Sequence, residues 1–114
     1  MREIDVSKID ALLEHVCAQK ATDLHINVGT KPRIRVNSVL RLVEEAQSMT
    51  ADAVREIAEG MLDDSHRALL AENGDVDFSF SKPGLGRFRV NVYKQRGSHS
   101  IAIRNLPFQI PAFD

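Results

Sequence analysis

The sequence predicts an α+β fold in which about three helices pack on a largely antiparallel sheet of five to six strands. In three segments the apolar residues recur at three- and four-residue spacing, which is typical of amphipathic helices. In the other segments apolar and polar residues alternate, as in strands that bury one face. The order is helix, β-hairpin, two helices and β-meander, and the short connections favour antiparallel pairing of neighbouring strands.

The first helix is predicted over residues 7–19, where Ser7 and Asp10 resemble a weak capping box. Its apolar stripe consists of Ile9, Leu12, Leu13, Val16 and Cys17. Cys17 is the single cysteine, and its place on the stripe predicts a buried small hydrophobe rather than a reactive thiol. One cysteine cannot form an internal disulfide, which fits a reducing compartment.

Three short strands are predicted next. Residues 24–28 alternate, so Val28 is expected on the same side as the preceding apolar residues. A second strand is centred on Ile34. Asn tolerates a positive φ, so residues 37–38 are expected to turn the chain and residues 39–43 to return as a hairpin partner.

Two helices are predicted in the middle of the chain. Thr50 is expected to cap the first of them. Its apolar stripe consists of Val54, Ile57, Ala58, Met61 and Leu62. A shorter helix is predicted over residues 64–72, and it ends near Gly74 because glycine favours the C-terminal stop.

Three strands are predicted in the last third of the chain. Phe78, Phe80 and Phe88 fall on their apolar faces, where the core is expected. The last strand follows Gly97 and places Arg104 on its polar side. Single-strand nucleic-acid binders need exposed rings interleaved with basic residues, so this distribution of aromatics argues against nucleic acid as a partner.

The composition is that of one globular domain with segregated charge. At 114 residues, 43% hydrophobic and 27% charged, the chain is long enough for one core. No apolar run approaches the ~20 residues needed to cross a bilayer, and residues 1–5 do not resemble a signal peptide. Residues 44–77 hold ten acids against two bases, whereas residues 78–113 hold no acid. Such a module suits docking to protein surfaces or to a phosphate-bearing ligand on its basic side, although both charged sides can equally be solvated faces.

Motifs for autonomous catalysis are missing from the sequence. There is no phosphate-binding P-loop, nucleophile elbow, dinucleotide fingerprint or Cys/His metal spacing. A small enzyme in its own right is therefore not expected. Gly84 and Gly86 lie between strands and open no helix, so they do not predict a phosphate cradle.

The histidines give no catalytic or metal site. His15, His66 and His99 stand on predicted polar faces or loops without carboxylate partners in sequence. Asp23 and His25 share a strand face, but a stable metal site needs three or four protein ligands. Asp23 is instead expected to fix the turn that leaves the first helix, and His25 to hydrogen-bond a neighbouring strand.

The arginines of the last strands are the candidate binding residues. Arg87 and Arg89 lie on the same face of one strand, and Arg104 lies on the polar face of the next. Guanidinium groups held on a rigid sheet can grip phosphate oxygens bidentately. Spacing alone favours the alternative, in which they pair with acids such as Asp75 and Asp77 or face water.

Four segments resemble the pilus-retraction ATPases of the PilT family, relatives of the pilus-assembly and type II secretion ATPases. Residues 21–26 (ATDLHI) resemble the family's A-S-D-[LI]-H strand, and residues 32–37 (PRIRVN) its P-x-I-R-V-[DN] hairpin. Residues 75–80 (DVDFSF) resemble x-x-D-F-S-F, and residues 86–107 carry G-x-F-R-V-N, R-G and R-x-[IL]-P in the family's order. The resemblance covers about residues 8–107.

The resemblance implies a PAS-like N-terminal domain at residues 1–107, with 108–114 beginning a linker to a RecA-like ATPase domain. It also implies a homohexamer in which each N-terminal domain packs on RecA-like domains of its own and neighbouring subunits. Arg89 and Arg104 match the two family arginines that reach the nucleotide phosphates, whereas Arg87 is left as structural. ATP and Mg would bind the full-length protein, and the fragment is expected to need no cofactor, to contain no catalytic residue and to hydrolyse no ATP.

The same resemblance implies a cytoplasmic motor that drives twitching motility and meets an inner-membrane pilus platform protein. Two alternatives stay open: an ATPase of pilus assembly or type II secretion, and a free-standing PAS-like interaction or sensing module. The chain departs from the family pattern at residues 37–38, which are Asn-Ser where Asp-Gly is usual, and at Thr22, where Ser is commoner.

Overall fold

The computed structural model describes residues 9–106, which form three helices and one six-stranded sheet. The α+β prediction is thereby confirmed. In chain order the elements are α1 (Ile9–Ala18), β1 (Asp23–Ile26), β2 (Arg33–Val36), β3 (Val39–Leu42), α2 (Ala51–Met61), α3 (Asp64–Asn73), β4 (Asp75–Lys82), β5 (Gly86–Gln95) and β6 (Ser98–Leu106). Ser7 of the expected capping box and residues 107–114 of the expected domain end and linker lie outside the described residues.

The sheet is antiparallel throughout, in the order β3-β2-β1-β6-β5-β4. Its halves come from the two ends of the chain, and they meet where β6 pairs with β1. Leu24 lies opposite Ile103 in this pairing, and Val90 lies opposite Ile103 on the other side of β6. One apolar row therefore crosses the centre of the sheet.

The helices cover the apolar face of the sheet. α2 packs on β6, and α3 packs on β4 and β5. The apolar stripe of α2 is buried as predicted, and Thr50 caps the helix by accepting a hydrogen bond from the backbone N–H of Ala53 at 3.1 Å. α3 ends at Gly74, whose φ of +83° is left-handed, which confirms the predicted stop. No helix within residues 9–106 has the length and apolar character to cross a membrane.

The turn at residues 37–38 is confirmed. Asn37 has a φ of +51° and Ser38 a φ of +68°, so both central residues are left-handed, as a two-residue hairpin of this twist requires. Val36 lies directly opposite Val39. The departure from Asp-Gly is thus accommodated without a change of register.

Three side-chain predictions need correction. Val28 lies outside β1 and is 39% exposed, because the strand ends at Ile26 and the chain turns at Gly29, whose φ is +90°. Phe88 is fully buried, but Phe78 and Phe80 are only half-buried because β4 is an edge strand. The first helix ends at Ala18, one residue before the predicted end, and its predicted start at residue 7 lies outside the described residues.

Cys17 is partly rather than fully buried and packs against the core. Its Sγ lies 3.8 Å from the carbonyl oxygen of Leu85. Burial raises the pKa of the thiol, which disfavours the reactive thiolate. Its expected role as a small hydrophobe therefore holds for the part of the side chain that faces the core.

Candidate functional site

The face of the sheet opposite the helices, called here the open face, carries the candidate arginines. Arg89 of β5 lies directly opposite Arg104 of β6, and Arg104 lies directly opposite Asp23 of β1. Directly opposed residues of antiparallel strands project to the same face, only about 4.5–5.5 Å apart at Cβ. The strand register therefore brings the two arginines predicted from the sequence together.

Arg89 is paired with Asp77 of the neighbouring strand β4. Its Nε donates to Oδ1 at 3.2 Å, and its Nη2 donates to Oδ2 at 2.8 Å. The hydrogen bond from Arg89 lowers the pKa of the Asp77 carboxyl, and the same pair raises the pKa of the guanidinium. The pairing with Asp77 that spacing favoured is therefore present. Asp75 makes no ion pair within residues 9–106.

Arg104 is held more loosely than Arg89. Its Nε lies 3.5 Å from Oδ1 of Asp23, at the limit of a hydrogen bond, and 72% of its side chain is exposed. Asp23 also lies 3.6 Å from Nε of Arg35 and accepts a 2.8 Å hydrogen bond from the hydroxyl of Thr22. The turn after α1 is closed by backbone hydrogen bonds from Lys20 to Cys17 and from Ala21 to Val16, so a role of Asp23 in fixing it stays a prediction.

A shallow depression of about 380 Å³ lies between these groups. Its floor includes Ala102, whose methyl group leaves room between the larger side chains of β1 and β5. Its lining consists of Asp23, His25, Asp77, Arg89, Asn91, Ala102, Ile103 and Arg104. The dimensions and the two guanidinium groups suit a phosphate-sized anion. A groove along the β4–β5 turn, beside Gly84 and Gly86, has a mostly apolar wall, and of its two cations, Lys82 and Arg87, the lysine is ion-paired with Asp10 at 2.8 Å.

His25 supplies a neutral group to this depression. Burial lowers the pKa of His25, and the charges of Arg33 and Arg35 lower it further against the opposing effect of Asp23. The ring is therefore neutral at pH 7. No side-chain hydrogen bond of His25 is present within residues 9–106, so the bond expected to a neighbouring strand is absent.

The other histidines lie away from the open face. His66 of α3 has Nδ1 3.1 Å from Asp63, and its ring stacks on Phe78 with 4.5 Å between centroids. The expectation that it lacks a carboxylate partner is therefore wrong, because the residue that caps α3 lies beside it. Within the described part of the chain, no group of three or more His, Cys, Asp or Glu side chains is arranged to hold a metal ion.

The double role of Asp23 was not foreseen from the sequence. Asp23 stands between Arg35 and Arg104 because β1 pairs with β2 on one side and with β6 on the other. The alternation of Arg33 and Arg35 in β2 gave a signal that this strand face is basic. It did not show that Asp23 would also meet Arg104, because these two residues are 81 positions apart in the chain.

Known proteins are similar to this chain in fold and in sequence. The chain is 31% identical over 102 residues to the type IV pilus retraction ATPase PilT of Pseudomonas aeruginosa, and it covers 90% of this chain. It superposes on the crystal structure of the pilus retraction motor PilT with bound ADP at a TM-score of 0.86 and 36% identity, over 91% of this chain. The chain is a PilT-type N-terminal domain.

A second relative agrees with this assignment. The type IV pilus ATPase PilU of Pseudomonas aeruginosa is 28% identical over 107 residues, which cover 94% of this chain. No protein-family model matches the sequence. The PilT-type domain spans under a third of the length of these relatives: 29% of PilT, 28% of PilU and 30% of the solved PilT chain.

Proposed function

We propose that this PilT-type domain works within a hexameric type IV pilus retraction ATPase, where it lends Arg89 and Arg104 to the phosphates of a bound nucleotide. The observation that carries the proposal is the direct opposition of the two arginines on the open face, with both guanidinium groups exposed to solvent. The name of the solved relative, a retraction motor with bound ADP, supplies the nucleotide class.

The open face is suited to this role because it supplies charge without a pocket of its own. A shallow depression binds a small anion weakly, so the rest of the nucleotide must be held by another domain. In the proposed arrangement RecA-like domains of the same and neighbouring subunits hold ATP and Mg. The arginines neutralise charge that develops on the transferred phosphoryl group and couple nucleotide state to domain position.

The domain limits and surroundings belong to the same proposal. Residues 1–107 form the N-terminal domain, and residues 108–114 begin the linker to the RecA-like domain. The hexamer lies in the cytoplasm, against the inner membrane through a pilus platform protein, and uses no nucleic acid. Retraction is preferred to pilus assembly or secretion because PilT is a retraction motor by name. Deleting the gene should abolish twitching while pili remain on the cell surface, whereas loss of the pili would favour assembly.

Substitution of each arginine in the full-length protein tests the proposal. Arg89→Gln and Arg104→Gln should each lower kcat for ATP by about tenfold or more, since arginines at a γ-phosphate act mainly in the transition state. Arg87→Gln is the matched control, because Arg87 lies on the same face of β5, is exposed and makes no ion pair within the described residues. Turnover that survives both changes, or falls equally in the control, would contradict the proposed roles.

A further inference from the structure

We propose that Asp77 is an intramolecular competitor for Arg89, whose carboxylate must be displaced before the guanidinium can bind a phosphate. This inference rests on the proposed phosphate contact of Arg89. It adds a regulating residue to that contact, because the strength of the Asp77 pair then sets how readily the open face accepts an anion.

The geometry of the pair supports competition. Asp77 engages Nε and Nη2 of Arg89 together, with contacts of 3.2, 3.3 and 2.8 Å. Carboxylate and phosphate oxygens bind the guanidinium fork in the same two-point manner. A phosphate that needs this edge of Arg89 therefore meets a carboxylate already seated on it.

The second acid of the site is held differently. Asp23 has only 17% of its side chain exposed, and it is shared by Arg35, Arg104 and the hydroxyl of Thr22. Asp77 has 43% of its side chain exposed and lies on the edge strand β4, with no ion-pair partner besides Arg89 in the described part of the chain. Asp77 can therefore move away from Arg89 without breaking another ion pair, whereas Asp23 is held by three partners.

Because of the net charge of the site, the competition should affect anion binding measurably at neutral pH. Asp77 is ionised there, since the hydrogen bond from Arg89 lowers the pKa of the carboxyl. Among the ion-paired groups, the charges of Arg35, Arg89 and Arg104 face those of Asp23 and Asp77, which leaves one net positive charge. Replacing Asp77 with a neutral residue raises this to two, so anion binding becomes both tighter and more sensitive to salt.

Solvent exposure limits the size of the effect. An ion pair on a surface is weakened by water and by salt, and such pairs contribute little. Displacement of Asp77 therefore weakens phosphate binding by a small factor, about two- to fivefold. The competitor is easily overcome by a nucleotide that another domain holds in place.

Binding of tripolyphosphate to the 114-residue chain tests the competition directly. This probe carries the anionic chain of ATP without its base, and the Nε–Hε resonance of Arg89 reports on its own contact. Asp77→Asn and Asp77→Ser should bind tripolyphosphate about two- to fivefold more tightly than the wild type. The gain should disappear when Arg89→Gln is added, and it should shrink as salt is raised.

Asp75→Asn is the matched control for charge. Asp75 projects from the same face of the same strand and is exposed, but it makes no ion pair in the described structure. The proposal predicts no gain in this variant. Equal gains from Asp75→Asn and Asp77→Asn would reduce the effect to general charge, and weaker binding by Asp77→Asn would show that Asp77 orients Arg89 instead; either result overturns the competition.

The two proposals fail separately. If Arg89→Gln leaves ATP turnover of the full-length protein intact, the proposed contact of Arg89 with the nucleotide is refuted. This holds whatever affinity is measured for tripolyphosphate. If Arg89→Gln lowers turnover but Asp77→Asn leaves the affinity for tripolyphosphate unchanged, only the competition falls. In the full-length protein the competition predicts a lower KM for ATP in Asp77→Asn than in the wild type.

Discussion

The two faces of the sheet are held by different forces. On the covered face, apolar side chains from β1, β5 and β6 are almost completely inaccessible beneath the helices. On the open face, charged side chains pair across strands, and Arg89 and Arg104 stay largely accessible to water. Burial on the first face is expected to stabilise the fold strongly, whereas exposed ion pairs contribute little. The open face is therefore free to vary its contacts without unfolding the domain.

The charged residues on the helical side of the domain also differ from those on the open face. The acids of α2 and α3 point to solvent, and the two bases in this region are tied to them: Arg55 to Asp52, and Arg67 to Glu59 and Asp64. The helical side of the molecule therefore stays acidic, while the arginines gather on the sheet side. The segregation seen in the sequence is carried only partly into the fold, because Asp77 lies on the open face and Lys82 is ion-paired with Asp10 of α1.

The largest expected effect comes from the covered face. Phe88 is fully buried near the start of β5, so Phe88→Ala should lower the free energy of unfolding by about 3–5 kcal/mol. Urea denaturation followed by circular dichroism measures this change. The control is Arg89→Ala, one residue further on and on the opposite face, which should leave the unfolding midpoint within experimental scatter. Similar losses in both variants would mean that the two faces do not differ as described.

A gain in stability is expected from a substitution in the turn between β2 and β3. Ser38 has a φ of +68°, which strains a residue with a Cβ, and Asn-Gly is the favoured pair for this turn. Ser38→Gly should raise the free energy of unfolding by roughly 0.5 kcal/mol, after the extra freedom of glycine in the unfolded chain is allowed for. Ser48→Gly serves as the control, because Ser48 is exposed and does not have a positive φ. It should be neutral or destabilising.

The smallest expected effect concerns acid sensitivity of the open face. Burial lowers the pKa of His25 below its usual 6.5, so the unfolded chain takes up the proton first as pH falls. Stability is therefore present above about pH 6.5 and is lost progressively below it. His25→Gln should reduce this loss, measured as the change in urea midpoint between pH 7.5 and pH 5.5. His99, whose pKa is lowered by burial and by Lys94, should add to it, so a double variant that is as acid-sensitive as the wild type would refute the assignment.

Local signals account for most of the fold that the sequence predicts. The stripe of α2, the cap at Thr50 and the stop at Gly74 depend on residues within one turn of each other, so they can be recognised from spacing. The prediction for Val28 was wrong for a different reason, which also explains why Phe80 packs against the core but is only half-buried. Alternation shows which face a residue takes in a strand, but not where the strand ends or whether a helix reaches that part of the sheet.

The candidate site was predictable only in part. Arg89 and Arg104 were assigned from motif resemblance, and their opposition follows from a short hairpin between β5 and β6. Asp77 was named as a possible partner because β4 and β5 are also joined by a short turn. The bridge from Asp23 to Arg104 depends on pairing between the ends of the chain, which local spacing cannot reveal.

The edge strand β3 has a consequence for the domain in concentrated solution. Val43 donates its N–H to Pro32 at 2.8 Å, and inward and outward pairs alternate along an antiparallel ladder, so Leu40 and Leu42 turn their backbone groups away from β2. Their exposed side chains make this rim attractive to another strand. When two copies meet there about a common twofold axis, Arg41 faces its own counterpart, and like charges directly opposed repel. For a twofold axis that passes through residue 41, this repulsion is expected to oppose self-association, and salt that screens the charge should weaken it.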